Sequence, residues 1–358
     1  MAEGRRFELL ETCASAVFKT APLDRSGTPP DLLKHTGRRQ GAQARAAGAL
    51  DSRRMAILSG LVPVFLIIAF GVAARRFGLV NGLAAGGLNR LVANLALPAF
   101  LIIEIGTASL EVSFSSRVAI VTAVASLHVT AFALLAAHLL RLPATQRGVL
   151  AQAAARGNYA YVGFPVVLAA LGQAGLQRAA VTAALLIPLM NLVAISVLEL
   201  YRKRHEAAGR LMLRVVVNPL VISALLGLAL SAAGWRPWGW LAATLRVLAD
   251  FALPAALLAL GAQLEIRRWH GVWRQTATAT GLKLVVLPLL GWWALVGLGA
   301  SAAEIGVGVL LLATPTAIAS YPVAAELGGD LDLAGACVLV TTAAAFVAFA
   351  LWGLVLGL

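Results

Sequence analysis

Residues 90–101 read Arg90-Leu-Val-Ala-Asn94-Leu-Ala-Leu-Pro98-Ala-Phe-Leu, and residues 246–257 read Arg246-Val-Leu-Ala-Asp250-Phe-Ala-Leu-Pro254-Ala-Ala-Leu. Seven of the twelve positions are identical at an offset of 156. Apolar helices share Leu and Ala cheaply, but a matched Arg and Pro with an Asn/Asp between them do not follow from composition. The offset returns in Phe164-Pro165-Val166 against Tyr321-Pro322-Val323 at 157, and in Leu171-Gly172 against Leu327-Gly328 at 156. The chain reads as two related halves.

Both halves are apolar throughout. The 358 residues are 60% hydrophobic and 13% charged, with a mean hydropathy of +0.86, where a soluble domain carries about 25% charge. A soluble enzyme, a fibrous protein and a disulfide scaffold are excluded. Ten apolar windows follow Met55, over about 56–74, 88–107, 117–140, 149–171, 179–201, 213–233, 244–264, 276–298, 304–326 and 334–356, each near the roughly 20 residues that a bilayer requires. The expected fold is an all-α polytopic membrane protein of ten transmembrane helices. A first five-helix repeat spans 55–201, a cytoplasmic loop 202–214, and a second repeat 215–358. Five is odd, so the second repeat enters the membrane in the opposite sense, the construction of many secondary carriers.

Windows four and nine are interrupted, the first by Gly157, Asn158, Gly163 and Pro165, the second by Pro315, Ser320, Tyr321 and Pro322. Proline removes a backbone donor and clashes with the preceding turn. The freed groups are tolerable in a bilayer only where protein or water meets them. Paired breaks in corresponding helices predict a crossing of helices 4 and 9 near the midplane. The half-helix N-termini there offer N–H groups and partial positive charge to a carboxylate.

A formal charge of +13 and a pI near 11.1 would suggest nucleic acid in a soluble protein. Here the basic residues stand in loops, and no nucleic-acid partner is expected. Loops after helices 1, 3, 5 and 7 hold thirteen (Arg75 and Arg274 among them) against four on the other side: Arg117, Arg178, Arg236 and Arg246. This bias places both termini outside the cytoplasm. Residues 1–54 hold ten Lys/Arg, six Asp/Glu and Pro29-Pro30 without a sustained apolar run. They read as a disordered basic extension, and Met55, directly before the first span, is the expected start. Cys13 and Cys337 form no motif; Cys337 reads as a small hydrophobe.

The order and spacing of several segments resemble the auxin efflux carrier family, in its bacterial branch. They are Gly71-Val-Ala-Ala-Arg-Arg-Phe-Gly78-Leu, Leu88-Asn-Arg-Leu-Val-Ala-Asn-Leu-Ala-Leu-Pro98, Gly157-Asn-Tyr-Ala-Tyr-Val-Gly-Phe-Pro165, Asn218-Pro219-Leu, Ala259-Leu-Gly261-Ala and Lys283-Leu-Val-Val-Leu-Pro288. The resemblance covers about 56–358. It implies ten helices, a scaffold domain, a transport domain with two helices crossing at prolines (here Pro165 and Pro322), and carriage of organic anions, whether auxin-like acids or malonate-like dicarboxylates. The long loop of many plant members is absent. The family's fold is similar to bile acid–sodium symporters and sodium–proton antiporters, which leaves a bile-acid-symporter-like carrier or an ion antiporter as the alternative.

Intramembrane ionisable groups are costly and therefore functional candidates. Asp250 is the expected coupling carboxylate for H+ or Na+, set against an interfacial Asp paired with Arg246 at i−4. Lys283 is the expected coupling base, set against a snorkelling lysine. Glu104 is read as structural, His128 as a satisfied core histidine, and Asn191 as an interhelical hydrogen bonder. The substrate is assigned to Asn158, Tyr161, Gly163, Pro165, Ser320, Tyr321 and Pro322, neutral donors and backbone dipoles that let a carboxylate leave again. Arg156 is placed at the inner mouth, because a buried guanidinium would hold the anion too long.

The five histidines contain no His-Glu-x-x-His pair, and the chain has no Gly-Lys-Ser/Thr phosphate loop, which argues against a zinc protease and an ATP-driven pump. No filter-like glycine tract suggests a channel. The expected protein is therefore a secondary carrier of small organic anions in the cell inner membrane. It works by alternating access, carries no cofactor or metal, and is a homodimer by analogy alone.

Overall fold

The structure, a computed structural model, describes residues 60–202, 213, 215–235, 237–264 and 271–358. The extension 1–54, the start at Met55 and the loop beyond Arg202, apart from Leu213, lie outside the described residues.

Those residues are helical and contain no β-strand. They form α1 (60–76), α2 (Gly82–Gly106), α3 (Leu110–Ser113), α4 (Ser116–Leu139), α5 (Ala144–Ala155) and α6 (Tyr159–Glu199). The second half forms α7 (Pro219–Ala232), α8 (Gly239–Gln263), α9 (Trp273–Gly297), α10 (Ala302–Leu312), α11 (Ser320–Glu326) and α12 (Leu331–Leu356). Six of these, α2, α4, α6, α8, α9 and α12, are long and apolar enough to cross a membrane; α7 and α10 are apolar but shorter. The 41-residue α6 is broken at Gly172, whose φ of 66° and ψ of −167° no helix contains. Glycine takes that conformation without a Cβ clash.

The helices are apolar on every side because protein and lipid both solvate apolar groups. In α4 a stripe of small or branched residues, Val118, Val121, Ala125, Val129 and Ala133, is buried, while Ile120, Val124, Leu127 and Leu135 face outward. Side-chain caps mark several starts: Asn81 Oδ1 accepts from Ala84 N at 2.8 Å, Asp330 Oδ1 from Leu333 N at 2.9 Å, and Ser301 and Glu304 form a capping box. Each satisfies an otherwise orphaned N–H.

Three helices contain a wider π-turn, at Val92–Ala96, Tyr159–Gly163 and Leu282–Val286. Each is followed at the second residue by a proline: Pro98, Pro165 or Pro288. A proline ring clashes with the carbonyl four residues back and leaves it without a donor, and a wider turn relieves that clash. The freed carbonyl of Leu284, four residues before Pro288, accepts from Trp352 Nε1 at 3.0 Å.

The helices pack in two groups. In one, α2 lies against α7 and α8, and α1 crosses α8 with backbones nearly touching, since a Cβ on Gly71 would strike Leu258 O and one on Gly261 would strike Ile68 O. Small residues permit this approach in the absence of a hydrophobic drive between helices. In the other group α4 packs on α5, α9 and α10, and α12 on α5, α9 and α11. Phe100 of α2 and Phe164 of α6, stacked at 5.4 Å, join the groups.

Candidate functional site

Helix α5 stops at Ala155 and α6 starts at Tyr159, with Arg156 in an extended conformation between them. In the second half α10 ends at Leu312 and α11 begins at Ser320. The two gaps meet. Gly157 and Thr316 form an isolated antiparallel bridge: Asn158 N donates to Pro315 O at 2.8 Å, and Ala317 N donates to Arg156 O at 3.0 Å. Thr316 adds two ties, Oγ1 to Ala153 O at 2.7 Å and N to Thr341 Oγ1 at 3.0 Å. Each unwound segment thus supplies hydrogen bonds that the other lost, as buried irregular backbone requires. Gly157 is required there, because a Cβ would strike Thr314 Oγ1.

The crossing is therefore at Gly157 and Thr316, not at Pro165 and Pro322. Pro322 falls within the first turn of α11, where the missing N–H costs little, and Pro165 lies inside α6, directly beyond the π-turn at Tyr159–Gly163 that relieves its clash.

Beside the crossing lies a cavity of about 90 Å³ lined by Arg156, Asn158, Tyr161, Met190, Asn191 and Asn218, among others. Asn158 is 3% exposed and its Nδ2 has no partner. Tyr161 Oη donates to Asn89 Oδ1 of α2 at 2.8 Å. Arg156, expected at the inner mouth, is instead buried in this cavity; Nη2 donates to Asn191 Oδ1 at 2.5 Å and Nη1 to Ala319 O at 3.4 Å. Asn191 is the interhelical hydrogen bonder that its position suggested.

The remaining candidates are dispersed. Gly163 sits in the π-turn, where a Cβ would lie 3.0 Å from Thr314 Cγ2. Ser320 is buried with an unpartnered Oγ, while Gln152 Nε2 holds its carbonyl at 3.1 Å. Tyr321 and Pro322 line a separate cavity of about 250 Å³ with Arg75, Gln263 and Asp332. Pro165 lines a third, of about 490 Å³, with Asp250, Pro254, Glu104 and Gln173. Asp250 is exposed there and makes no ion pair with Arg246. Glu104 accepts from Gln173 Nε2 at 2.7 Å.

Lys283 is fully buried and donates to Leu312 O at 2.7 Å; it lines none of these three cavities and is not joined to Asp250. His128 is not a core residue: it is exposed on α4, with Nδ1 2.8 Å from Val124 O. Among the described residues no group of His, Cys, Asp and Glu could hold a metal ion.

Residues 56–207 and 202–353 match the family described as "Membrane transport protein". The chain is 30% identical over 302 residues to the "Putative malonate transporter" of Rhizobium meliloti, covering 80% of this chain and 92% of that protein. It is 26% identical over 303 residues to an "Uncharacterized transporter" of Methanothermobacter thermautotrophicus, covering 83% of this chain and 97% of the relative.

Proposed function

The chain belongs to this membrane transport protein family, the auxin efflux carriers that its motifs resemble, and from that premise we propose that it is a secondary carrier of small organic anions such as malonate or malate. The observation that carries this reading is the small cavity beside the Gly157–Thr316 crossing, lined by Asn158, whose buried Nδ2 has no partner. A neutral donor and the N-terminus of α6 stabilise a carboxylate without a grip too tight for release. At about 90 Å³, the cavity favours a short acid over a bile acid, since clefts for drug-sized ligands run to roughly 300–1,000 Å³. The malonate named for a 30%-identical relative has that size and charge.

In this reading ten spans form two inverted five-helix repeats in the cell inner membrane, with both termini extracytoplasmic. The α4–α5–α6 and α9–α12 helices move against α1, α2, α7 and α8 to expose the crossing to each side in turn. Asn158, Tyr161 and Ser320 meet the carboxylate directly or after small side-chain movements. Gly163, Pro165, Tyr321 and Pro322 shape the half-helices and the approaches. The protein acts as a carrier and not as an enzyme, and a homodimer is the proposed assembly. H+ or Na+ is the coupling ion, with Asp250 as its carboxylate and Lys283 as the buried cation.

One observation favours a second reading, an ion-coupled symporter or antiporter: Asp250 and Glu104 line a single cavity of about 490 Å³. Flux into proteoliposomes separates the two. Malonate, malate, indole acetate and taurocholate are offered with and without sodium and a pH step. Saturable uptake of a short acid supports the anion carrier. Current with sodium and pH alone, and silence with every acid, supports the antiporter.

A further inference from the structure

We infer that Arg156 binds a second carboxylate, which makes the crossing cavity selective for short dicarboxylates; the inference rests on that cavity being the substrate site. Arg156 is 8% exposed and is the one formally charged residue in the described lining of the cavity. Its contacts, Asn191 Oδ1 and Ala319 O, are both neutral, and no carboxylate among the described residues forms an ion pair with it. They engage two of the five N–H donors that a guanidinium carries. Arginine keeps its charge, and a buried charge without a counter-charge is among the costliest features a membrane protein can hold. An anion that enters the cavity removes that cost on arrival and restores it on leaving.

The second observation is independent of the charge. Asn158 lines the same cavity, 3% exposed, and its buried Nδ2 has no partner, so a free neutral donor stands in a lining residue beside the cation. Lys283 supplies no competing anion site here, since it does not line this cavity. A monocarboxylate satisfies one of the two groups; a three- or four-carbon dicarboxylate satisfies both. The grip that would hold a monocarboxylate too long is shared here between two carboxylates and two sides of a small cavity.

The test compares malonate with monomethyl malonate, the same skeleton less one charge, in proteoliposomes holding the full chain. The expected wild-type preference for malonate in kcat/KM is at least about tenfold, the size of one charge-assisted hydrogen bond. Arg156→Gln is expected to lower malonate uptake at least about tenfold while changing half-ester uptake less than about threefold; Arg156→Lys recovers part of the loss. Equal losses for both acids overturn the inference. Should Arg156→Gln not fold, competition in the wild type decides: a half-ester that blocks malonate uptake as well as malonate itself overturns the dicarboxylate assignment and leaves the carrier reading standing. Silence of the wild type with both acids overturns the carrier reading, and the inference with it.

Discussion

Lys283 Nζ donates to the carbonyl oxygen of Leu312 at 2.7 Å, and Leu312 is the last residue of α10. A cation thus sits at the carbonyl end of a half-helix that stops inside the molecule, where the peptide dipoles leave negative partial charge. The side chain reaches no cavity described here, so the geometry supports a positioning role for Lys283 over a direct exchange with substrate. Lys283→Met strands the Leu312 carbonyl and is expected to cost about 1–3 kcal/mol, read as a lower Tm in detergent with flux falling in parallel. An unchanged Tm together with lost ion dependence would return Lys283 to coupling.

Asn158→Ala is expected to act in the opposite way. Its Nδ2 has no partner to lose, and removal of an unsatisfied buried donor is neutral or stabilising. Flux should fall about tenfold or more, the worth of a hydrogen bond to a charged ligand, while Tm stays level or rises. Ser320→Ala, with an equally unpartnered Oγ, should leave Tm level and lower flux less. Unchanged kinetics in Asn158→Ala would remove that residue from the site.

Tyr161 and Asn89 meet across the seam between the two helix groups. If those groups slide during transport, this 2.8 Å bond exists in one state only. Tyr161→Phe, Asn89→Ala and the double variant form a cycle whose coupling in thermal stability should be about 0.5–1.5 kcal/mol. A coupling near zero would mean that the pair does not bias the state described here.

Of the ten expected spans, those that meet long apolar helices were legible because bilayer thickness sets their length: the window 244–264 meets α8 at Gly239–Gln263, and 334–356 meets α12 at Leu331–Leu356. Both broken segments were legible too, from glycine and proline in matching positions. What misled was the choice among those residues. Pro165 and Pro322 are the conspicuous breakers, yet a π-turn accommodates the one and a first helical turn the other, and the chain unwinds instead at Gly157 and Thr316. Five of the seven substrate candidates are divided among three cavities for the same reason, since about two turns of α6 carry Pro165 away from the crossing and the first turn of α11 carries Tyr321 and Pro322 away from it. Arg156 was misplaced because sequence spacing does not show which way the residue before a break points. Its place directly before Gly157-Asn158 was the available signal.

The α1–α8 contact tests the packing account. Gly71→Ala and Gly261→Ala each drive a methyl into a backbone carbonyl, which neither helix can give up without separating. Overpacking of this kind costs about 1–3 kcal/mol or more, so both variants should lose Tm and yield. Gly86→Ala is the matched control, with nothing within 4 Å of the added carbon. Equal behaviour of the three would show that α1 and α8 do not touch as described.

Asp250 carries the coupling prediction, and its surroundings set the terms. Glu104 shares the cavity but is already engaged by Gln173, whereas the Asp250 carboxylate is exposed and unpaired with Arg246. An engaged carboxylate exchanges its partner at a cost; a free one takes up a proton or a cation and gives it back. Asp250→Asn keeps the shape and removes that capacity, so flux should lose its response to a pH step or a sodium gradient while net uptake down the anion gradient persists. Glu104→Gln should lower stability modestly and leave the ion response in place. If the response survives in Asp250→Asn and vanishes in Glu104→Gln, the roles are reversed, and if it survives in both, the coupling ion binds elsewhere than in this cavity.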